Sequence, residues 1–176
     1  SLINLCFDVC EKIDLESISE EFKSFLAKFV HFVVTYLSSS MSEESFELYL
    51  FPNFASVIAV LMPIIDSELL QNIQIICFTI LQDQENNMED ILYAALLVLS
   101  DIILVHGANI NEITQFAMEI IKQSQQVSYV LISSIFVLTS ALFKTKGSFA
   151  QFIPEEILQK WIETSNIEDL QKQREI

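Results

Sequence analysis

The sequence is short of residues that turn or break a chain: it has two glycines and three prolines among 176 residues. A β-sandwich or barrel needs turn signals about every ten residues. A disordered chain is rich in Pro, Gly and charge and poor in apolar residues. Neither fits. Bases are scarce too, with nine Lys and Arg against 24 Asp and Glu, for a net charge of −15. Neutralising phosphates takes a basic face, so nucleic-acid binding is excluded, and anionic membrane surfaces repel such a chain. Cysteine is limited to Cys6, Cys10 and Cys77. An odd, sparse set makes no disulfide framework and points to a reducing compartment. The chain shows no signal-peptide pattern. It opens on Ser1, directly inside an apolar helical pattern, and reads as one segment, residues 1–176, of a longer protein.

What is abundant is apolar: 52% of the residues, 14 of them Phe. Their spacing is helical. Leu2, Leu5, Cys6, Val9 and Ile13 share one face. Ser17 with Glu20 fits a capping box ahead of a stripe of Phe22, Phe25, Leu26, Phe29, Val33, Tyr36 and Leu37. That spacing favours core over a ligand or peptide groove. After a polar loop at 38–45, a helix over about 45–64 is expected to bend or break at Pro52. Asp66 or Ser67 opens the next, to about 82. Asn87 and Asp90 can cap a helix over 88–106, which Gly107 stops and His106 completes at its negative end. Asn109 with Glu112 resembles a further capping box, starting a helix to about 123. Another spans about 127–145, closed by Gly147. Pro154, Glu155 and Glu156 open the last, which carries Ile157, Leu158, Trp161 and Ile162 on one side. The final NIEDLQKQREI reads as the start of one more.

Two segments, 48–65 and 126–143, carry no charge and approach the length of a membrane span. Pro52, Asn53 and Pro63 interrupt the first; Ser128, Ser133, Ser134, Thr139 and Ser140 dot the second. Basic flanks that would orient a span are sparse. Both read as buried central helices, and no membrane span is expected.

The two glycines lie 40 residues apart, in LLVLSDIILVHGANINEI (96–113) and FVLTSALFKTKGSFAQFI (136–153). Aligning them pairs Leu96 with Phe136, Val98 with Leu138, Ser100 with Ser140 and Ile103 with Phe143. Each glycine would end one helix and let the chain reverse into the next. A period near 40 with two helices per unit lies in the HEAT and armadillo range. The expected fold is all-α: an α-solenoid of about four antiparallel helix pairs. An ordinary helical bundle with two hairpins alike by chance is the alternative.

Residues 88–164 carry a family resemblance. LYAALLVLSDIILVHGANINEITQFAMEIIKQS and SSIFVLTSALFKTKGSFAQFIPEEILQKWIE resemble HEAT repeats of the importin-β (karyopherin) superfamily. There an apolar first helix leads through a glycine turn into a second helix with an aromatic or aliphatic opening. Phe149 and Phe152 fit that opening better than Asn109 and Glu112 do. The resemblance implies a protein-transport role, acidic character, a cytoplasmic and nuclear location, binding of cargo and of a Ran-like GTPase, and contact with Phe-Gly-rich pore proteins. It assigns none of those surfaces to individual residues.

No residue constellation points to catalysis or a cofactor. G-x-S-x-G, P-loop, G-x-G-x-x-G and H-E-x-x-H patterns are all missing. Cys6 and Cys10 share a helix face but lack the second ligand pair that structural zinc requires. Glu43–Glu44 and Glu155–Glu156 are sequence neighbours, not carboxylates converging in a pocket. The expected function is a non-catalytic, protein-binding scaffold, a segment of a HEAT-repeat nuclear transport receptor. One alternative is a regulatory or structural scaffold without a transport role; another is a helical bundle that binds a lipid or small apolar ligand. The acids lie between apolar runs, where they could simply solvate the surface and complement helix dipoles. If they bind basic segments of a partner, Glu112, Glu119, Glu156 and Glu163 are the candidates: each pair is seven apart and shares a helix face.

Overall fold

A computed structural model describes Cys10 and residues 12–40, 50–83 and 88–165. These residues are helical, with no strand among them. The α-helices are α1 (Glu20–Ser40), α2 (Phe51–Leu61), α3 (Ser67–Gln82), α4 (Glu89–His106), α5 (Ile110–Gln123), α6 (Tyr129–Lys144) and α7 (Glu155–Ser165). Short 3-10 turns, Met62–Ile64 and Ser148–Phe152, follow α2 and α6.

Local chemistry explains the boundaries. The Asp66 side chain accepts from Leu69 N at 2.8 Å and caps α3; Ser128 accepts from Leu131 N at 3.2 Å and caps α6. Acids fill the first turns of α1, α3, α4, α5 and α7, where the dipole favours them. Gly107 closes α4 in the left-handed conformation (φ 65°), its N–H bonding Ile103 O at 2.9 Å.

Several local expectations are corrected. Ser19, not Ser17, caps α1: its hydroxyl accepts from Phe22 N at 3.3 Å. Ser17 instead donates to Asp14 O in the preceding turn. α2 opens at Phe51, with Pro52 in its first turn, where its missing N–H leaves no bond unmade. Asn109 makes no capping box; it adopts φ 50°, and its amide reaches sideways to Gln74. Gly147 follows Lys146, which itself takes the left-handed position (φ 52°). Lys146 N bonds Phe143 O at 3.1 Å and Gly147 N bonds Leu142 O at 2.8 Å, a Schellman arrangement. The two glycines therefore close their helices one position apart in role. The proposed caps at Asn87 and the start near 45 lie outside the described residues, as do Cys6 and the final NIEDLQKQREI.

Alternate helices pack together. α4 lies against α2 on one side and, most extensively, α6 on the other. α1 meets α3, α5 meets α7, and α3 and α5 lie across from α4 and α6. The α4–α6 contact is in register along its length. The Glu89 carboxylate accepts from Tyr129 N at 2.9 Å; the Ser100 and Ser140 hydroxyls share a buried bond of 2.6 Å; Lys144 Nζ donates to Leu104 O at 2.9 Å and to Val105 O at 3.0 Å. These pairs are separated by 40, 40, 40 and 39 residues. The two helices are thus parallel. α5, tied to both by residues 107–109 and 124–128, runs back between them. One continuous apolar core threads the contacts, with Val30, Val57, Leu81, Leu99, Ile121 and Leu138 among its buried side chains.

Contacts 35 to 44 residues apart tie the other alternate helices. Gln74 on α3 takes a bond from Asn109 Nδ2 at 2.6 Å and gives one to Glu112 at 3.2 Å; the Phe78 and Phe116 rings lie 5.5 Å apart. Lys160 on α7 donates to the carbonyls of Lys122 and Ser124 at the end of α5. His106 donates from Nε2 to Met62 O at 2.9 Å, at the end of α2. Three helix C-termini are therefore met by a basic side chain from the alternate helix, where the dipole is negative.

Candidate functional site

The four acids singled out from the sequence are all exposed, two on α5 and two on α7, helices that contact each other. Their surroundings differ. Glu112 accepts from Gln74. Glu156 pairs with Lys122 at 2.7 Å, bridging α7 to α5. Glu163 accepts from Gln159 Nε2 at 3.2 Å, one turn earlier on the same helix. Glu119 is exposed on the middle of α5. Two of the four thus hold neighbouring helices together. The sequence signalled their helix faces, but not Gln74 and Lys122, which come from elements remote in sequence.

The aromatic stripe of α1 departs from expectation more sharply. Leu26, Val30, Val33, Val34 and Leu37 are buried, whereas Phe25 and Phe32 are 59% and 66% exposed, and Phe22 and Tyr36 are also open. Phe22 and Phe25 stack with ring centroids 6.0 Å apart. The helix is apolar on two sides, and the core takes the aliphatic one. Between α1 and α2 lies a small cleft of about 170 Å³, bordered by Phe29, Phe32, Tyr36 and Phe54. It is apolar and too small for a lipid chain of ordinary length. A wider cleft, about 610 Å³, opens where α4 and α6 begin, bordered by Met88, Glu89, Asp90, Tyr93 and Tyr129.

Among the described residues, the titratable groups lie apart from one another or at the surface. Burial in α3 pushes the Cys77 thiol far up, which keeps it protonated and inert. Cys10 is also buried. His31 borders a shallow cleft with Lys28, Asp66 and Glu68. Among the described residues, no three of His, Cys, Asp and Glu converge as metal ligands. Burial raises the Asp101 carboxyl, half-buried on α4, above its ordinary value. Glu155 and Glu156 are both exposed in the first turn of α7.

Neither apolar segment proposed and rejected as a membrane span forms a long helix: the first ends in a 3-10 turn after Leu61 and the second begins only at Tyr129. No helix among the described residues is long and apolar enough to cross a membrane. Comparisons with protein-family models, with curated proteins and with solved structures found no match.

Proposed function

We propose that the chain is a segment of a HEAT-like α-solenoid that acts as a non-catalytic scaffold for protein partners. The observation that carries this is the α4–α6 register: Glu89, Ser100 and Leu104 meet Tyr129, Ser140 and Lys144, each 40 residues on. Side-chain bonds at both ends and the middle of two parallel helices, with α5 returning between them, are what a tandem two-helix repeat produces. Such a stack offers extended surfaces and needs no catalytic pocket. The net charge of −15 supports basic partner segments, and exposed acids on α5 and α7 supply a surface for them. Membership in the nuclear transport receptors rests on the resemblance of residues 88–164 to importin-β repeats. That reading adds a Ran-like GTPase and Phe-Gly-rich pore proteins as partners, and a cytoplasmic and nuclear location. A scaffold without a transport role shares the architecture but not those partners.

The test is binding of a Lys/Arg-rich peptide across a salt series, beside a Phe-Gly-repeat peptide. Affinity for the basic peptide should fall several-fold as NaCl rises from about 50 to about 300 mM, because the Debye length shortens. Glu112, Glu119, Glu156 and Glu163 changed together to Gln should weaken it further and flatten the salt dependence. Unchanged affinity in that variant would mean that these acids only solvate the surface. Binding of the Phe-Gly peptide would favour the transport reading over the plain scaffold.

A further inference from the structure

The cleft where α4 and α6 begin combines aromatic walls with an acidic rim. Met88, Tyr93 and Tyr129 supply the walls, and Glu89 and Asp90 the rim, around about 610 Å³. That volume lies within the usual range of ligand sites. Each helix contributes one ring. The ring centroids are 6.1 Å apart and the planes lie at 71°, edge to face. Tyr93 is half-buried, whereas Tyr129 is 68% exposed. The carboxylates are anchored by one oxygen each. Glu89 Oε1 accepts from Tyr129 N at 2.9 Å, and Asp90 Oδ1 accepts from Ile91 N at 3.0 Å. Each has a second oxygen left to accept a bond. Among the described residues neither carboxylate is in an ion pair, and no Lys or Arg borders the cleft.

We propose that this cleft binds an arginine side chain of a partner protein, its guanidinium stacked on Tyr129 and hydrogen-bonded to Glu89 and Asp90. Charge selects the ligand class. Two helix N-termini alone would suit an anion. Here an anion would meet two carboxylates in a chain of net charge −15. An uncharged apolar ligand would strip water from both carboxylates without pairing them. A guanidinium answers both surfaces at once: its flat face lies on a ring, and its edge donates N–H bonds to carboxylate oxygens. A lysine ammonium has no face to stack, and a quaternary ammonium has no N–H to give. The site is built on other helices than Glu112, Glu119, Glu156 and Glu163. It does not depend on the solenoid reading.

Four short, otherwise neutral peptides test this, carrying arginine, citrulline, lysine or trimethyllysine at one central position. Each is titrated into the full chain at about 50 mM NaCl, where screening is modest, while NMR follows the ring protons of Tyr93 and Tyr129. The arginine peptide should shift both rings. It should bind at least about tenfold more tightly than the citrulline peptide, which keeps the shape without the charge. Tyr129→Leu should weaken arginine binding about threefold or more, and Tyr129→Phe should restore it, because the ring is what stacks. Glu89→Gln with Asp90→Asn should erase the preference for arginine over citrulline, while Gln keeps an oxygen for Tyr129 N. Tyr129 is exposed, so its two variants report even where the double variant loses stability. Citrulline binding as tightly as arginine would overturn the proposal. So would lysine or trimethyllysine binding as tightly, or arginine binding that leaves both rings unshifted and survives Tyr129→Leu.

Discussion

Asp101 shows how one carboxylate can work against the fold. It lies on α4 among apolar residues, half-buried, and burial raises its pKa. A carboxyl whose folded pKa exceeds its unfolded one favours the native state only while it is protonated. Its contribution is therefore fully present below the ordinary Asp range and lost as pH rises through the folded value. Burial makes the ionised carboxylate costlier in the native state than in the unfolded chain. Asp101→Asn should unfold at higher denaturant concentration than the parent at pH 7. The gap should close as pH falls below the usual carboxylate range. Equal stability at pH 7 would mean that Asp101 is better solvated than its position suggests. Cys77 is the quieter case: its buried thiol should resist alkylation until the chain unfolds.

At the scale of the element, the two glycines predict different costs. A Cβ on Gly107 would sit in a left-handed residue and 2.8 Å from Lys144 Cε, part of the side chain that binds the carbonyls of α4. A Cβ on Gly147 would meet nothing within 4 Å, although φ is 84°. Left-handed backbone costs an L-residue about 1–2 kcal/mol. Gly147→Ala should lose about that much, and Gly107→Ala more, since Lys144 must also move. Chemical denaturation of both variants checks the order; equal losses would show that Lys144 yields freely. The same two turns show what the sequence could and could not reveal. The alignment that paired Ser100 with Ser140 was legible because two parallel helices in register place positions 40 apart side by side, and here the hydroxyls touch. That Lys146 takes the left-handed position ahead of Gly147 was not, because the turn offers two residues and only geometry selects one. Asn109 was misread for a related reason. Its side chain suits a cap, but Gln74, on the neighbouring helix, competes for it and wins. On α1, apolar residues lie on two sides, so periodicity located the helix but could not say which side the core would take.

For the whole molecule the decisive quantity is charge. Twenty-four acids face nine bases. Lys144 and Lys160 are committed to helix C-termini, so they neutralise dipole ends rather than carboxylates. Lys122–Glu156 joins two helices, and Lys23–Glu20 is local to α1. The Lys122–Glu156 partners are 49% and 63% exposed, so solvent screens the pair and its worth is about 0–1 kcal/mol. Unfolding spreads the remaining negative charges apart, so self-repulsion should favour the unfolded chain at low ionic strength. Raising NaCl from about 20 to about 300 mM shortens the Debye length from over 20 Å to under 10 Å, roughly. The melting temperature should therefore rise, by about 2–4 °C for each kcal/mol of repulsion removed in a chain of this size. Changing Glu112, Glu119, Glu156 and Glu163 to Gln removes four negative charges and should shrink that rise, even with the Lys122 pair lost. Scanning calorimetry across the salt series checks both. A melting temperature that falls with salt would mean that attractive pairs dominate. The acids would then be holding the helices together rather than standing ready for a basic partner.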